Sequence, residues 1–282
     1  MPATLSIEGK TFDLLGTQRS GAAVYRGQSE FLRIGEKSNI TRDLALHHEM
    51  EKAHYPVAEI RAEGEHEGKG YFIEASLGRA SFRALFADDY ATGSITDTNF
   101  ARFVAVAKKL FVAEVRAAQP KWNIQEFAAG INLMHLSREI GGYGKAIEER
   151  FVEVAARLQK MPGTLLHGDC NAANMYEGGV IDLEDSFYGP VGYDIVSALM
   201  TADWSPLTRE HEFHAHYRFT DDQKNEYVQA LLPIAKKAQI HISQKDINDL
   251  AFCRAIWLCS GMNAWPRLQQ WRFDKLIREY LS

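Results

Sequence analysis

One stretch constrains this chain more than any other, Leu165 to Leu199: LLHGDCNAANMYEGGVIDLEDSFYGPVGYDIVSAL. An apolar pair, Leu165 and Leu166, runs into a tight polar segment, His167-Gly168-Asp169-Cys170-Asn171-Ala172-Ala173-Asn174. Val180 and Ile181 read as a short strand that delivers a second acid, Asp182, with Glu184 and Asp185 close behind. The order predicts a loop, a hairpin and a second loop, which bring two acids and an amide to one cleft. That set suits phosphoryl transfer. One carboxylate stands beside an acceptor hydroxyl, while an amide and another carboxylate hold divalent cations on nucleotide phosphates. A lone His-Gly-Asp would be an ordinary turn; three linked blocks in order carry more information.

Asn174 follows Asp169 by five residues, the spacing of the protein-kinase catalytic loop, and Ile181-Asp182-Leu183 stands where those enzymes carry Asp-Phe-Gly. The run H-G-D-x-x-x-x-N, I-D-x-E-D and G-P-x-x-Y-D-I resembles the aminoglycoside phosphotransferase and choline kinase family. Gly168 stands where protein kinases have arginine, and no A-P-E follows Asp182; both features argue against a protein kinase. A nucleotide-binding pseudokinase acting as an interaction module is the other competing class. Intact Asp169, Asn174 and Asp182 argue against it.

The resemblance implies a bilobal, protein-kinase-like α+β fold. Residues 1–78 would form a nucleotide-binding lobe of a five-stranded antiparallel sheet and one helix. Residues 79–282 would form a helical lobe with the catalytic and acceptor-binding groups. It implies ATP or GTP with Mg2+, and a hydroxyl of a sugar, amino sugar, amino alcohol or aminoglycoside as acceptor. Asp169 would orient the hydroxyl and take its proton, with Asn174 and Asp182 on the metal. His167 would brace the loop, Asp194 would anchor it, and Glu184 and Asp185 are open between metal and acceptor.

In the first lobe, Leu14 to Gly27 reads as a hairpin over the phosphates with Ser20 and Gly21 at its turn, where glycine lets backbone amides approach an anion. Arg33, in the strand Glu30–Ile34, matches the phosphate-contacting lysine of protein kinases; an arginine offers a planar fork for the same oxygens. Asp43 to Ala53 reads as a helix capped by Asp43 or Thr41, with Glu49 as the partner of Arg33 and Glu51 as the competing acid. Val57–Ile60 and Gly70–Glu74 read as the last strands, with the charged run Glu63–Gly70 as their turn. By resemblance, Glu74 and Ser76 bracket the hinge that meets the adenine.

Beyond it, Asp97–Gln119 shows a helical stripe of Phe100, Phe103, Val104, Ala107, Leu110, Phe111 and Val115. Ala146–Leu158, Asp221–Gln239 and Ser243–Cys259 also read as helices, the last two capped at Thr220 and Ser243. Ile131–Ile140 is ambiguous. Glu210–His216 reads as a surface helix or a lid. Trp204, Trp257, Trp265 and Trp271 either bury against the core or line an acceptor pocket.

A net charge of -5 gives no basic footprint for nucleic acid. Three cysteines without zinc-type spacing fit a reducing cytoplasm better than a disulfide framework. Neither a signal peptide nor an apolar run long enough to span a bilayer is visible. Oligomeric state is open. From Ile195 onward acids and bases nearly balance, so the acceptor is expected to be a neutral or singly charged hydroxyl compound rather than a polycationic aminoglycoside.

Overall fold

The computed structural model describes residues 2–17, 21–210, 215–262 and 264–281. Strands β1 (Thr4–Ile7), β2 (Lys10–Thr17), β3 (Ala23–Arg26), β4 (Glu30–Gly35), β5 (Ile60–His66) and β6 (Lys69–Ala75) form one antiparallel sheet in the order β1-β2-β3-β4-β6-β5. The sheet has six strands, not the expected five. Glu63–Glu65 lie inside β5 rather than in a turn, because β5 is the edge strand and its charges face water. Only Glu67 and Gly68 remain for the turn, both with positive φ.

Alternation along the strands separates two faces. Leu32, Ile34, Tyr71 and Ile73 bury with Ile7, Phe12, Ala23 and Tyr25 on one side. Arg33, Phe72 and Glu74 point the other way. Helix α1 (Lys37–Lys52) covers that second face through Ile40, which packs on Phe72 and Ala22. It starts six residues before the expected Asp43, after Glu36, with no side-chain cap. Neither Asp43 nor Thr41 is therefore a cap.

The larger lobe is helical: α2 (Phe82–Ala91), α3 (Asp97–Arg116), α4 (Ile124–Gly130), α5 (Leu133–Glu139), α6 (Gly144–Leu158), α7 (Tyr193–Asp203), α8 (Asp221–Lys237), α9 (Gln244–Cys259) and α10 (Pro266–Leu276). Thr96 caps α3, while Thr220 and Ser243 make capping boxes at α8 and α9. The stripe of α3 supplies the core, where Phe103 packs edge-on or stacked against Phe82, Phe86, Phe219 and Tyr227. The ambiguous stretch resolves into α5, preceded by α4, whose Asn123 cap accepts two backbone N–H groups. Two short antiparallel pairs flank the polar run His167–Asn174 and Asp182: β7 (Gly163–Leu166) with β10 (Phe187–Pro190), and β8 (Met175–Tyr176) with β9 (Gly179–Val180). No helix among the described residues is long and apolar enough to cross a membrane.

Several contacts join the lobes behind α1. Glu49 accepts a hydrogen bond from the Tyr188 hydroxyl. Tyr55 donates to the carbonyl of Leu165 at 2.5 Å and lies 3.1 Å from the Thr164 hydroxyl. The Val180 N–H donates to the Pro56 carbonyl at 2.8 Å.

Candidate active site

Strand β7 is wholly buried and ends at Leu166, so the polar run begins where the chain leaves the core. Asp194, in the first turn of α7, turns that run back on itself. Its carboxylate accepts the N–H of His167 at 2.7 Å and of Gly168 at 3.1 Å. The His167 ring bonds the Ile181 carbonyl at 2.8 Å, which ties the first loop to the second. Gly168 has φ +82, and a Cβ there would stand 2.0 Å from the Asp185 carbonyl oxygen. The arginine of protein kinases could not occupy this position without moving the second loop.

Asp169 is held on both sides. Asn174 Nδ2 donates to its Oδ2 at 3.2 Å and to its backbone carbonyl at 3.0 Å, and Asn171 Nδ2 adds a bond to that carbonyl at 3.2 Å. Arg254, fully buried in α9, donates to Asp169 Oδ1 at 2.6 Å and to the Gly168 carbonyl at 2.7 Å. Arg254 also bonds Thr201 at 3.1 Å and stacks 4.1 Å from the Trp257 ring centroid. Burial opposes the Arg254 charge, but Asp169 and Tyr193 hold its pKa above the usual value. Nothing in the sequence pointed to Arg254. Its only trace is one cation in the apolar run LAFCRAIWLC.

Asp182 follows β9 at φ +68, a left-handed conformation that aspartate tolerates better than most residues. It borders two cavities. One is small, between the lobes, and is lined by Arg33, Asp43, His47, Phe72, Glu74 and Glu184 among others. The other, of about 420 Å3, is lined by Asp169, Asn174, Thr201, Tyr217, Trp257 and Trp265, with Arg83 and Arg272. Of Trp204, Trp257, Trp265 and Trp271, Trp257 and Trp265 line it, whereas Trp204 is buried in the core. Asp182 is the residue through which the interlobe cleft meets this larger cavity.

Arg33 sits on this border, buried, but its partner differs from the one expected. Arg33 Nε pairs with Glu74 at 3.0 Å, and Nη1 lies 3.8 Å from Asp182. Glu74 is two residues beyond Phe72, the cross-strand neighbour of Arg33, so the two side chains meet diagonally on one sheet face. Burial works against the Arg33 charge, yet Glu74 and Asp182 keep its pKa raised. Glu49 is not its partner, because the inward face of α1 is set by Ile40, His47 and Met50. Glu49 turns outward to Tyr188, and Glu51 lies 3.5 Å from His48. The acid that α1 does aim at the cleft is Asp43, whose pKa burial pushes up.

The Glu74 side chain belongs to the Arg33 pair, and the Ser76 N–H donates to the Ser29 carbonyl at 3.0 Å. Gly21 is exposed with φ +84 and open space around it, while Ser20 lies outside the described residues. So does 211–214, the middle of the segment read as a surface helix or lid.

The oxygen donors fit a hard divalent cation. Asn174 uses Nδ2 on Asp169, which leaves its amide oxygen without a hydrogen-bond partner among the described residues. Together with the Asp182 carboxylate it makes the sparse protein set magnesium takes when phosphates supply further ligands.

Comparison with known proteins identifies the family. A family model described as "Phosphotransferase enzyme family" matches residues 14–227. Similar solved structures include a thermostable mutant of aminoglycoside phosphotransferase APH(4)-Ia in a ternary complex with AMP-PNP and hygromycin B. It has 14% identity and a TM-score of 0.57, covering 95% of this chain and 93% of that one. A choline/ethanolamine kinase family protein from Mesorhizobium loti has 15% identity and a TM-score of 0.57, covering 95% and 87%. The aminoglycoside-3'-phosphotransferase of type VIII has 12% identity and a TM-score of 0.55, covering 91% and 94%. No curated protein matches the sequence. These structures share the two-lobed kinase-like fold, and the family model spans both lobes and every loop described above: the chain belongs to the phosphotransferase enzyme family.

Proposed function

We propose that the chain transfers the γ-phosphoryl group of ATP to a hydroxyl of a small neutral or singly charged molecule, with Asp169 as the catalytic residue. The observation that carries this reading is the placement of Asp182 on both cavities, with Asp169 in the larger one. Nucleotide phosphates in the interlobe cleft and an acceptor hydroxyl in the cavity then approach each other across Asp182. Neighbours of this fold solved with AMP-PNP support the nucleotide assignment.

In this mechanism the acceptor oxygen attacks the γ-phosphorus as the bond to the β–γ bridging oxygen breaks. The hydroxyl proton passes to Asp169, and ADP leaves with the bridging oxygen. The Arg254 and Asn174 bonds fix the carboxylate plane, so the hydroxyl meets an oriented acceptor. Arg33, steadied by Glu74 rather than Glu49, faces the α/β-phosphates. Asn174 and Asp182 would hold Mg2+, which when bound neutralises charge developing on the phosphates. Positioning is the main contribution of the protein, since the transferred group is largely dissociative in character.

Asp169→Asn tests the assignment. It is expected to retain Mg-ATP binding by calorimetry and to lose about 10²–10⁴-fold in acceptor-dependent ADP release. Near-normal turnover in that variant would remove Asp169 from the chemistry.

A further inference from the structure

The larger cavity holds a buried cation that the transfer step does not use. Arg272, in α10, is 3% exposed and lines the cavity. Its Nε donates to the Trp204 carbonyl at 2.7 Å, and Nη1 donates to the Leu258 carbonyl. Nη2 has no hydrogen-bond partner among the described residues, and no carboxylate there lies within ion-pair distance of the group. Burial draws its pKa down to about 10, so it stays cationic at neutral pH.

Neither acid that lines the cavity among the described residues is an ion-pair partner of Arg272. Asp169 and Asp182 are the acids lining the cavity among the described residues. Asp169 is matched by Arg254 at 2.6 Å. Asp182 lies beside Arg33. Arg254 opposes the Arg272 charge, while Asp169 favours it from beyond ion-pair distance. A buried guanidinium facing a cavity with one free donor lowers its free energy by taking an anion.

We propose that the acceptor is a small hydroxy acid, its carboxylate bound by Arg272 while its hydroxyl lies at Asp169. The proposal rests on the phosphotransferase reading above and narrows its acceptor. A guanidinium fork matches a carboxylate in shape as well as charge. Trp257, Trp265 and Met262 supply apolar contact for the carbon skeleton between the two polar ends. A cavity of about 420 Å3 accommodates anything from a hydroxy amino acid to a sugar acid, so charge and not size decides. A polycationic amine would place an ammonium group against Arg272.

The test is coupled ADP release with Mg-ATP and the full chain. Short hydroxy acids, hydroxy amino acids and sugar acids are each assayed beside their methyl esters, with aminoglycosides as a polycationic arm. At least one acid is expected to exceed its ester by about tenfold or more in kcat/KM. Arg272→Gln should raise the KM for that acid by about 10- to 100-fold, with R272K, which keeps charge but loses the fork, in between. Thermal denaturation checks that both variants fold, and the wild-type acid-to-ester ratio needs no variant. Equal turnover of acid and ester, turnover of an aminoglycoside, or an unchanged KM in folded R272Q would overturn the proposal. So would failure of every acid while calorimetry shows Mg-ATP bound. Absence of Mg-ATP binding would instead sink the phosphotransferase reading and this proposal with it.

Discussion

Replacing Arg254 by methionine keeps much of the side-chain volume and removes one buried charge. Three acceptors lose their donor: Asp169 Oδ1, the Gly168 carbonyl and the Thr201 hydroxyl. Breaking a buried ion pair by deleting one partner typically costs about 3–5 kcal/mol. The Asp169 side chain is 19% exposed and borders the cavity, so water can replace part of what is lost. The lower end applies, about 3 kcal/mol, or a melting temperature lower by roughly 6 °C for a chain of this size. The catalytic effect is separate. Without Arg254, the Asp169 carboxylate keeps only the Asn174 bond and can rotate out of the attack line, which should lower kcat per folded molecule by about 10–100-fold, a part of the general-base contribution. Arg254→Lys retains a charge but cannot reach both Gly168 and Asp169 with a planar fork, and should fall between. Combining R254M with D169N separates packing from positioning: in the D169N background the Arg254 change should cost stability but little further kcat. Two results would refute the reasoning. One is an R254M melting point and kcat both close to wild type. The other is a stability loss with kcat per folded molecule intact, which would make Arg254 a packing residue only.

Two other outcomes follow from buried ionisable groups. Arg33→Ala and Glu74→Gln should each weaken Mg-ATP binding, the double variant should be little worse than either, and Glu49→Ala should bind normally; simple additivity by calorimetry would break the Arg33–Glu74 assignment. Glu114 is buried in α3, and burial and Asp194 push its carboxyl well above the ordinary 4.5. Because the folded pKa exceeds the unfolded one, its contribution is full below the unfolded pKa and is lost as pH rises toward the folded pKa. Wild-type urea midpoints should therefore fall relative to Glu114→Gln as pH climbs above about 4.5; parallel midpoints from mild acid to neutral pH would show Glu114 ionised in the fold.

What the sequence disclosed was governed by how local each feature is. The loop from His167 to Asn174 and the turn at Asp182 are built from neighbouring residues, so their spacing alone locates them. Helices opened by a Thr or Ser cap, such as α3, α8 and α9, were readable for the same reason. The partner of Arg33 was not, because it depends on which strands pair and in what register; Glu74 lies 41 residues away. The α1 helix misled because it carries few apolar residues, so its start and inward face were unmarked. Arg254 and Arg272 act across 85 and 68 residues respectively, on Asp169 and Trp204, and no short pattern announces them.

The contacts behind α1 set how the two lobes can move. In a two-lobed kinase, a switch can work by swinging the helix beside the cleft outward and withdrawing it from the phosphate site. Here the end of that helix and the segment after it are stitched to the other lobe by Glu49 to Tyr188, Tyr55 to Leu165 and Val180 to Pro56. An outward swing would have to break all three, two of them in the interior. The seam therefore acts as a fixed spine, and compliance is left to the far edge of the sheet, at β1 to β3. Nucleotide would enter by lifting that edge, as a page lifts from its binding, while Arg33 and Asp182 keep their places.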